Sequence, residues 1–68
     1  MQTRPTNMKV ARIKRGLKQA EVAKAVGITQ ATYSRMETST TRPQYATLLK
    51  LSEVLGVNAD RLMLKAKL

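Results

Sequence analysis

Lys18 to Glu37 reads KQAEVAKAVGITQATYSRME. Val22, Ala23 and Val26 form an apolar stripe at i, i+1 and i+4, which predicts a short helix from about Gln19 to Val26. Glu21 falls in its first turn, where the helix dipole favours an acid. Gly27 is suited to the left-handed residue that stops a helix. Ile28 then plugs the turn, and Thr29 can cap a following helix, Gln30 to Glu37. Tyr33 and Met36, three apart, point inward. Gln30, Ala31, Ser34 and Arg35 are left on the other side. Two short helices thus meet at a tight turn, and the second turns a polar face outward.

Working outward, no stretch alternates apolar and polar residues with period two, and Ala, Leu and Lys are frequent, so the chain reads as all-α. Toward the N-terminus, Pro5 disfavours a helical Arg4. Residues 1–6 are therefore expected to be a flexible arm. Asn7 is the expected cap of a first helix, Met8 to Arg15, which Gly16 ends. Ile13 sits poorly on that helix's inward stripe. Toward the C-terminus, Thr38 to Arg42 (TSTTR) is a polar loop, and Pro43 suits the first position of a fourth helix. Leu48, Leu51 and Leu55 give that helix an apolar face, and Gly56 ends it. Asn58 is the expected cap of a last helix, Ala59 to about Leu64, with Leu62 and Met63 inward. Residues 65–68 are expected to be a frayed basic tail. The result is one domain over residues 7–64, with five helices and short loops.

Size and composition narrow the function. A chain of 68 residues buries only about 60% of its unfolded surface. It has no cysteine and no histidine, so neither a disulfide nor a finger-type zinc site is available. No cofactor, metal or small-molecule substrate is expected, and four carboxylates without His or Cys assemble no nucleophile–base set, so no enzyme is expected. No apolar run is long enough for a membrane span, and the N-terminus lacks the apolar segment of a signal peptide, so the expected location is cytoplasmic. Thirteen Lys and Arg stand against four Asp and Glu, a formal charge of +9, which favours a polyanionic partner. Residues 1–18 hold six of those cations and no acid. Two tyrosines are too few rings for a single-strand or RNA stacking surface. Double-stranded DNA remains the best match. Two helices set at this spacing form the helix-turn-helix, whose second helix lies in the major groove.

The residues L17-K-Q-A-E-V-A23, V26-G-I-T-Q30, M36-E37, R42-P43 and L55-G-V57 together resemble the lambda-repressor-like, Xre-type helix-turn-helix domain, to which the phage repressors and Cro proteins belong. The resemblance covers about Asn7 to Met63. It implies a compact five-helix domain with helices two and three as the helix-turn-helix. It implies base reading by Gln30, Ala31, Ser34 and Arg35: Gln30 can pair bidentately with adenine, Arg35 can reach a guanine edge or a phosphate, and Ala31 can touch a thymine methyl. It implies phosphate contacts from Lys18, Gln19, Thr29, Thr38, Thr40, Thr41 and Arg42. Arg12 and Glu37 become a partly buried ion pair tying helix one to helix three; the competing reading is a weak surface pair. The chain departs from the family at Lys18, where Ser, Thr or Asn is the commoner cap, and at Ala31, which cannot hydrogen-bond a base.

The function so implied is a sequence-specific transcriptional regulator, a repressor acting as a homodimer on a palindromic operator. The implied dimer surface lies around Val57, Asn58, Arg61, Leu62 and Leu64. The alternative is an antitoxin-type module that binds a partner toxin and its own promoter.

Overall fold

The computed structural model describes residues 5–66. They form five helices: α1 (Asn7–Lys14), α2 (Gln19–Val26), α3 (Gln30–Glu37), α4 (Tyr45–Leu55) and α5 (Ala59–Leu62). There is no strand among the described residues, only one isolated antiparallel bridge between Thr6 and Lys65. Among the described residues, no helix is long and apolar enough to cross a membrane.

The α2–turn–α3 unit follows local chemistry. Gly27 adopts φ 80°, and this left-handed residue lets Ile28 N donate to Ala23 O at 3.0 Å. Thr29 is extended, and its Oγ1 accepts from Thr32 N at 3.2 Å, capping α3. Lys18 has no acceptor with which to cap α2. Instead Glu21 Oε1 accepts from Lys18 N at 2.8 Å, half of a capping box, which leaves the ammonium free.

Val22, Ala23 and Val26 from α2, Tyr33 and Met36 from α3, Leu51 and Leu55 from α4, Leu62 from α5 and Met8 and Ala11 from α1 build one core. The central helix α4 packs on α1, α2 and α5. Leu17, Ile28, Leu48, Val57 and Met63 seal its edges. Ile13 is exposed, in keeping with its poor fit to the α1 stripe.

Some boundaries differ from the sequence reading. Thr6, not Asn7, caps α1: its Oγ1 accepts from Lys9 N at 3.3 Å. Asn7 is the first helical residue and sends Nδ2 to Arg61 O at 2.9 Å. Pro43 does not open α4. Gln44 is still extended, at ψ 157°, and holds the cap position, so the helix starts at Tyr45. Asn58 holds the cap position of α5, but its side chain makes no capping bond. That helix stops at Leu62, because the chain turns to send Leu64 O to Asn7 N at 2.9 Å.

This last contact also corrects the expected loose ends. Thr6 is fully buried and Ala66 nearly so, and Ala66 N donates to Pro5 O at 2.8 Å. Pairing two chain ends satisfies backbone groups that the loops would otherwise leave to water. The rest of the expected arm, residues 1–4, and the last two residues of the tail lie outside the described residues.

Candidate nucleic-acid interface

The polar face expected on α3 is free. Gln30, Ala31 and Arg35 are exposed and Ser34 is half-buried, while Tyr33, Met36 and Glu37 on the opposite side are buried. The division follows the helical repeat: positions 30, 31, 34 and 35 lie together, and 33, 36 and 37 lie together. No acid stands in the first turn of α3, so its positive end carries no opposing charge.

Groups able to meet phosphate flank that face. At the N-terminus of α2, Lys18 is exposed and Gln19 half-buried. After α3, Thr38, Thr40 and Arg42 are exposed and Thr41 half-buried. Several of these hydroxyls already have partners. Thr38 Oγ1 donates to Arg35 O at 3.0 Å and lies 2.9 Å from Thr40 Oγ1, and Thr29 Oγ1 lies 2.8 Å from Thr32 Oγ1. The loop is therefore shaped by its own threonines. Thr40 N reaches back to Arg35 O at 2.9 Å, and Ser39 takes a left-handed φ of 63°.

Behind the interface lies a buried polar network. Glu37 accepts from Arg12 Nε at 2.5 Å and Arg12 Nη2 at 3.3 Å, and also from Gln19 Nε2 at 2.9 Å. Arg12 Nη1 donates to Leu17 O at 2.9 Å, in the turn before α2. The Glu37 side chain is 1% exposed and that of Arg12 13%, so the surface-pair reading fails. This is the one ion pair among the described residues. Gln19 thus spends one amide hydrogen on Glu37 and keeps its second for another acceptor.

Burial alone would push the Glu37 carboxyl up. The Arg12 hydrogen bonds, the approach of the Tyr33 hydroxyl, the Gln19 amide and the Arg12 charge outweigh it and hold the group below its usual range. The Arg12 guanidinium is raised, chiefly by its hydrogen bonds to Glu37. The Tyr33 hydroxyl is buried and meets no partner at good hydrogen-bond geometry among the described residues. Burial first, and the neighbouring Glu37 carboxylate second, push that phenol far above its usual range.

The residues expected at a dimer surface divide. Asn58, Arg61 and Leu64 are exposed, and Val57 is half-buried against the core. Leu62 is fully buried in the chain's own core, so it has no surface to offer a second copy. Tyr45 and Leu49, one turn apart on α4, are exposed large apolar residues that the sequence reading does not single out. Their i, i+4 spacing is the available signal, hidden by the stronger stripe of Leu48, Leu51 and Leu55.

Comparison with known proteins agrees with this geometry. The chain is 38% identical over 56 residues to the SPbeta prophage-derived uncharacterized HTH-type transcriptional regulator YonR of Bacillus subtilis, a match covering 82% of this chain and 52% of that protein. It is 35% identical over 57 residues to the uncharacterized HTH-type transcriptional regulator YqaE of the same organism, covering 84% and 49%. The chain therefore spans about half the length of these relatives. Among solved structures, it resembles the hypothetical transcription factor NHTF from Neisseria, with a TM-score of 0.75 and 29% identity, over 87% of this chain and 66% of the other. It also resembles the N-terminal DNA binding domain of SinR from Bacillus subtilis, with a TM-score of 0.72 and 28% identity, over 88% and 87%. The family model described as helix-turn-helix matches residues 8–62, nearly all of the five-helix body. The chain belongs to the helix-turn-helix family, in its lambda-repressor-like, Xre-type form.

Proposed function

We propose that this chain is a sequence-specific double-stranded DNA-binding domain of a transcriptional regulator, acting as a homodimeric repressor on a palindromic operator. The observation that carries the reading is the free face of α3. Gln30, Ala31 and Arg35 stand exposed on it with Ser34 half-buried beside them, and cations or amides stand at both ends. The kinship with HTH-type transcriptional regulators, and with the DNA binding domain of SinR, supports it. The unneutralised charge supports it as well: Lys18, Arg35 and Arg42 are all exposed, and the ion pair is buried away from them.

One recognition helix reads only a few base pairs, so a two-fold copy is needed to gain specificity. Half-sites one helical turn apart are about 34 Å from centre to centre. A body of 32 × 24 × 22 Å fits one half-site beside another. The proposed contact between copies uses Val57, Asn58, Arg61 and Leu64.

Selection of bound sites from random duplex DNA, followed by titration at several salt concentrations, tests the reading. A half-site repeated with two-fold symmetry is expected, with a log–log salt slope on the order of −5 to −9. A slope near zero would remove DNA as the partner. A single unrepeated half-site would remove the homodimer while leaving DNA binding in place.

A further inference from the structure

A recess of about 320 Å³ opens between α1, the end of α3 and the C-terminal segment. Val10 and Ile13 of α1 form its apolar wall, Glu37 and Thr38 lie at the end of α3, and Lys9 and Lys65 add two cationic side chains to the lining. Ile13 is 57% exposed here, a large apolar side chain outside the core. The DNA-facing surface of α3 uses none of these residues except Thr38.

The uncommitted charge of the recess is positive. The carboxylate of Glu37 is already occupied by Arg12 and Gln19, so it neither repels an anion nor attracts a cation with its full charge. Lys65 Nζ donates to Ser39 Oγ at 3.3 Å and keeps two further hydrogens, and Lys9 is exposed. The C-terminus of α3 alone would disfavour an anion. Lys9, in the first turn of α1 where no acid stands, offsets that effect with its own charge. An apolar wall beside two cations suits a ligand with both an apolar body and a negative head. Its volume lies at the small end of the roughly 300–1,000 Å³ of ligand sites, which limits the body to a short chain or one ring.

We propose that this recess binds a small amphipathic carboxylate, its head between Lys9 and Lys65 and its apolar body against Val10 and Ile13. The site does not depend on the DNA-binding reading. It adds a small-molecule ligand, which composition and motifs do not predict.

The test is an amide chemical-shift titration of the whole 68-residue chain, without DNA and at constant ionic strength, using acetate, butyrate, hexanoate, hexanol and inorganic phosphate. Hexanoate should shift Lys9, Val10, Ile13 and Thr38 saturably. Affinity should rise about fourfold for each methylene that enters the recess. Phosphate and hexanol should each bind at least tenfold more weakly than hexanoate. Ile13→Ser and Lys65→Gln both change exposed side chains and should weaken hexanoate at least fivefold, with the spectrum of the folded domain retained. Equal binding of phosphate would mean a merely basic surface, and equal binding of hexanol a merely apolar one. Either result, or affinity that ignores chain length, overturns the proposal. So does a recess that ignores every carboxylate of the series.

Discussion

Arg12 on α1 holds the carboxylate of Glu37, the last residue of α3, across 25 positions of sequence, and the same guanidinium fastens Leu17 O just before α2. One side chain thereby sets three elements: α1, the entry to α2 and the end of the recognition helix. Removing one partner of such a pair strands the other charge, at a cost of about 3–5 kcal/mol when fully buried. Arg12 retains some exposure, so we expect Glu37→Ala to cost on the order of 3 kcal/mol. In a domain this small that lowers Tm by more than about 10 °C. A double-mutant cycle with Arg12→Met should show strong coupling. Unchanged melting of Glu37→Ala would show the pair to be energetically idle.

Acid should weaken the fold through the same group. The folded carboxyl of Glu37 lies below its ordinary value near 4.5, so the folded state binds its proton less readily than the unfolded chain does. Its contribution is complete above about pH 4.5 and is lost as pH falls through the depressed folded value. Tyr33 acts at the other end. Its folded phenol is raised, so stability falls once pH passes the ordinary value of 10.0, where only the unfolded chain can ionise. Urea denaturation of the protein and of Glu37→Gln at pH 3 to 7 measures the acid limb. An equally steep acid limb in the Gln variant would assign it to other carboxyls.

Thr6 serves two helices with one oxygen. It accepts from Lys9 N to cap α1, and it donates to Glu37 O at 3.1 Å to terminate α3. Thr6→Val keeps the volume and loses both bonds in a fully buried place. The cap alone is worth about 1 kcal/mol, and a stranded buried carbonyl about 1–3 more. A loss of about 2–3 kcal/mol is expected on chemical denaturation, against under about 1 for Thr6→Ser. Equal losses in the two variants would mean that the methyl group, not the hydroxyl, matters.

Ser39 carries a backbone conformation that favours glycine, at φ 63°. Ser39→Gly should relieve that strain and stabilise by about 0.5 kcal/mol, after allowing for the looser unfolded chain. The lost bond from Lys65 is exposed and subtracts little. Ser39→Val should destabilise by more than about 1 kcal/mol, roughly the left-handed penalty of a branched residue. Thermal melts of both variants check the pair of signs.

Two exposed residues should separate reading from anchoring. Gln30→Ala should cost roughly 1–3 kcal/mol on the selected site and much less on random duplex. Lys18→Ala should weaken both alike and, with one lysine lost from each copy of the dimer, flatten the salt slope by about two. Fluorescence anisotropy on the two duplexes decides. If both variants lost affinity equally everywhere, α3 would not be the reading element.

The helix-turn-helix is legible in the amino-acid sequence because its signals act within a few residues. Gly27 stops α2, Thr29 caps α3 three positions ahead, and the apolar spacing of Val22, Ala23 and Val26 and of Tyr33 and Met36 divides each helix into faces. Family resemblance supplies the partnership of Arg12 and Glu37, which spacing alone does not show. Tertiary structure decides what depends on contacts distant in sequence. Thr6 reads as part of an arm because the oxygen it meets lies 31 residues away. Gln19 reads as a free phosphate ligand because Glu37, its partner, is 18 residues on. Leu62 reads as inward from its spacing but as part of a dimer surface from the family resemblance, and the packing of α4 and α1 on α5 leaves it fully buried; Pro43 reads as a helix start, yet Gln44 after it stays extended. A cap or a stripe is written in neighbouring residues, whereas burial and buried hydrogen bonds depend on which surfaces the assembled helices leave to water.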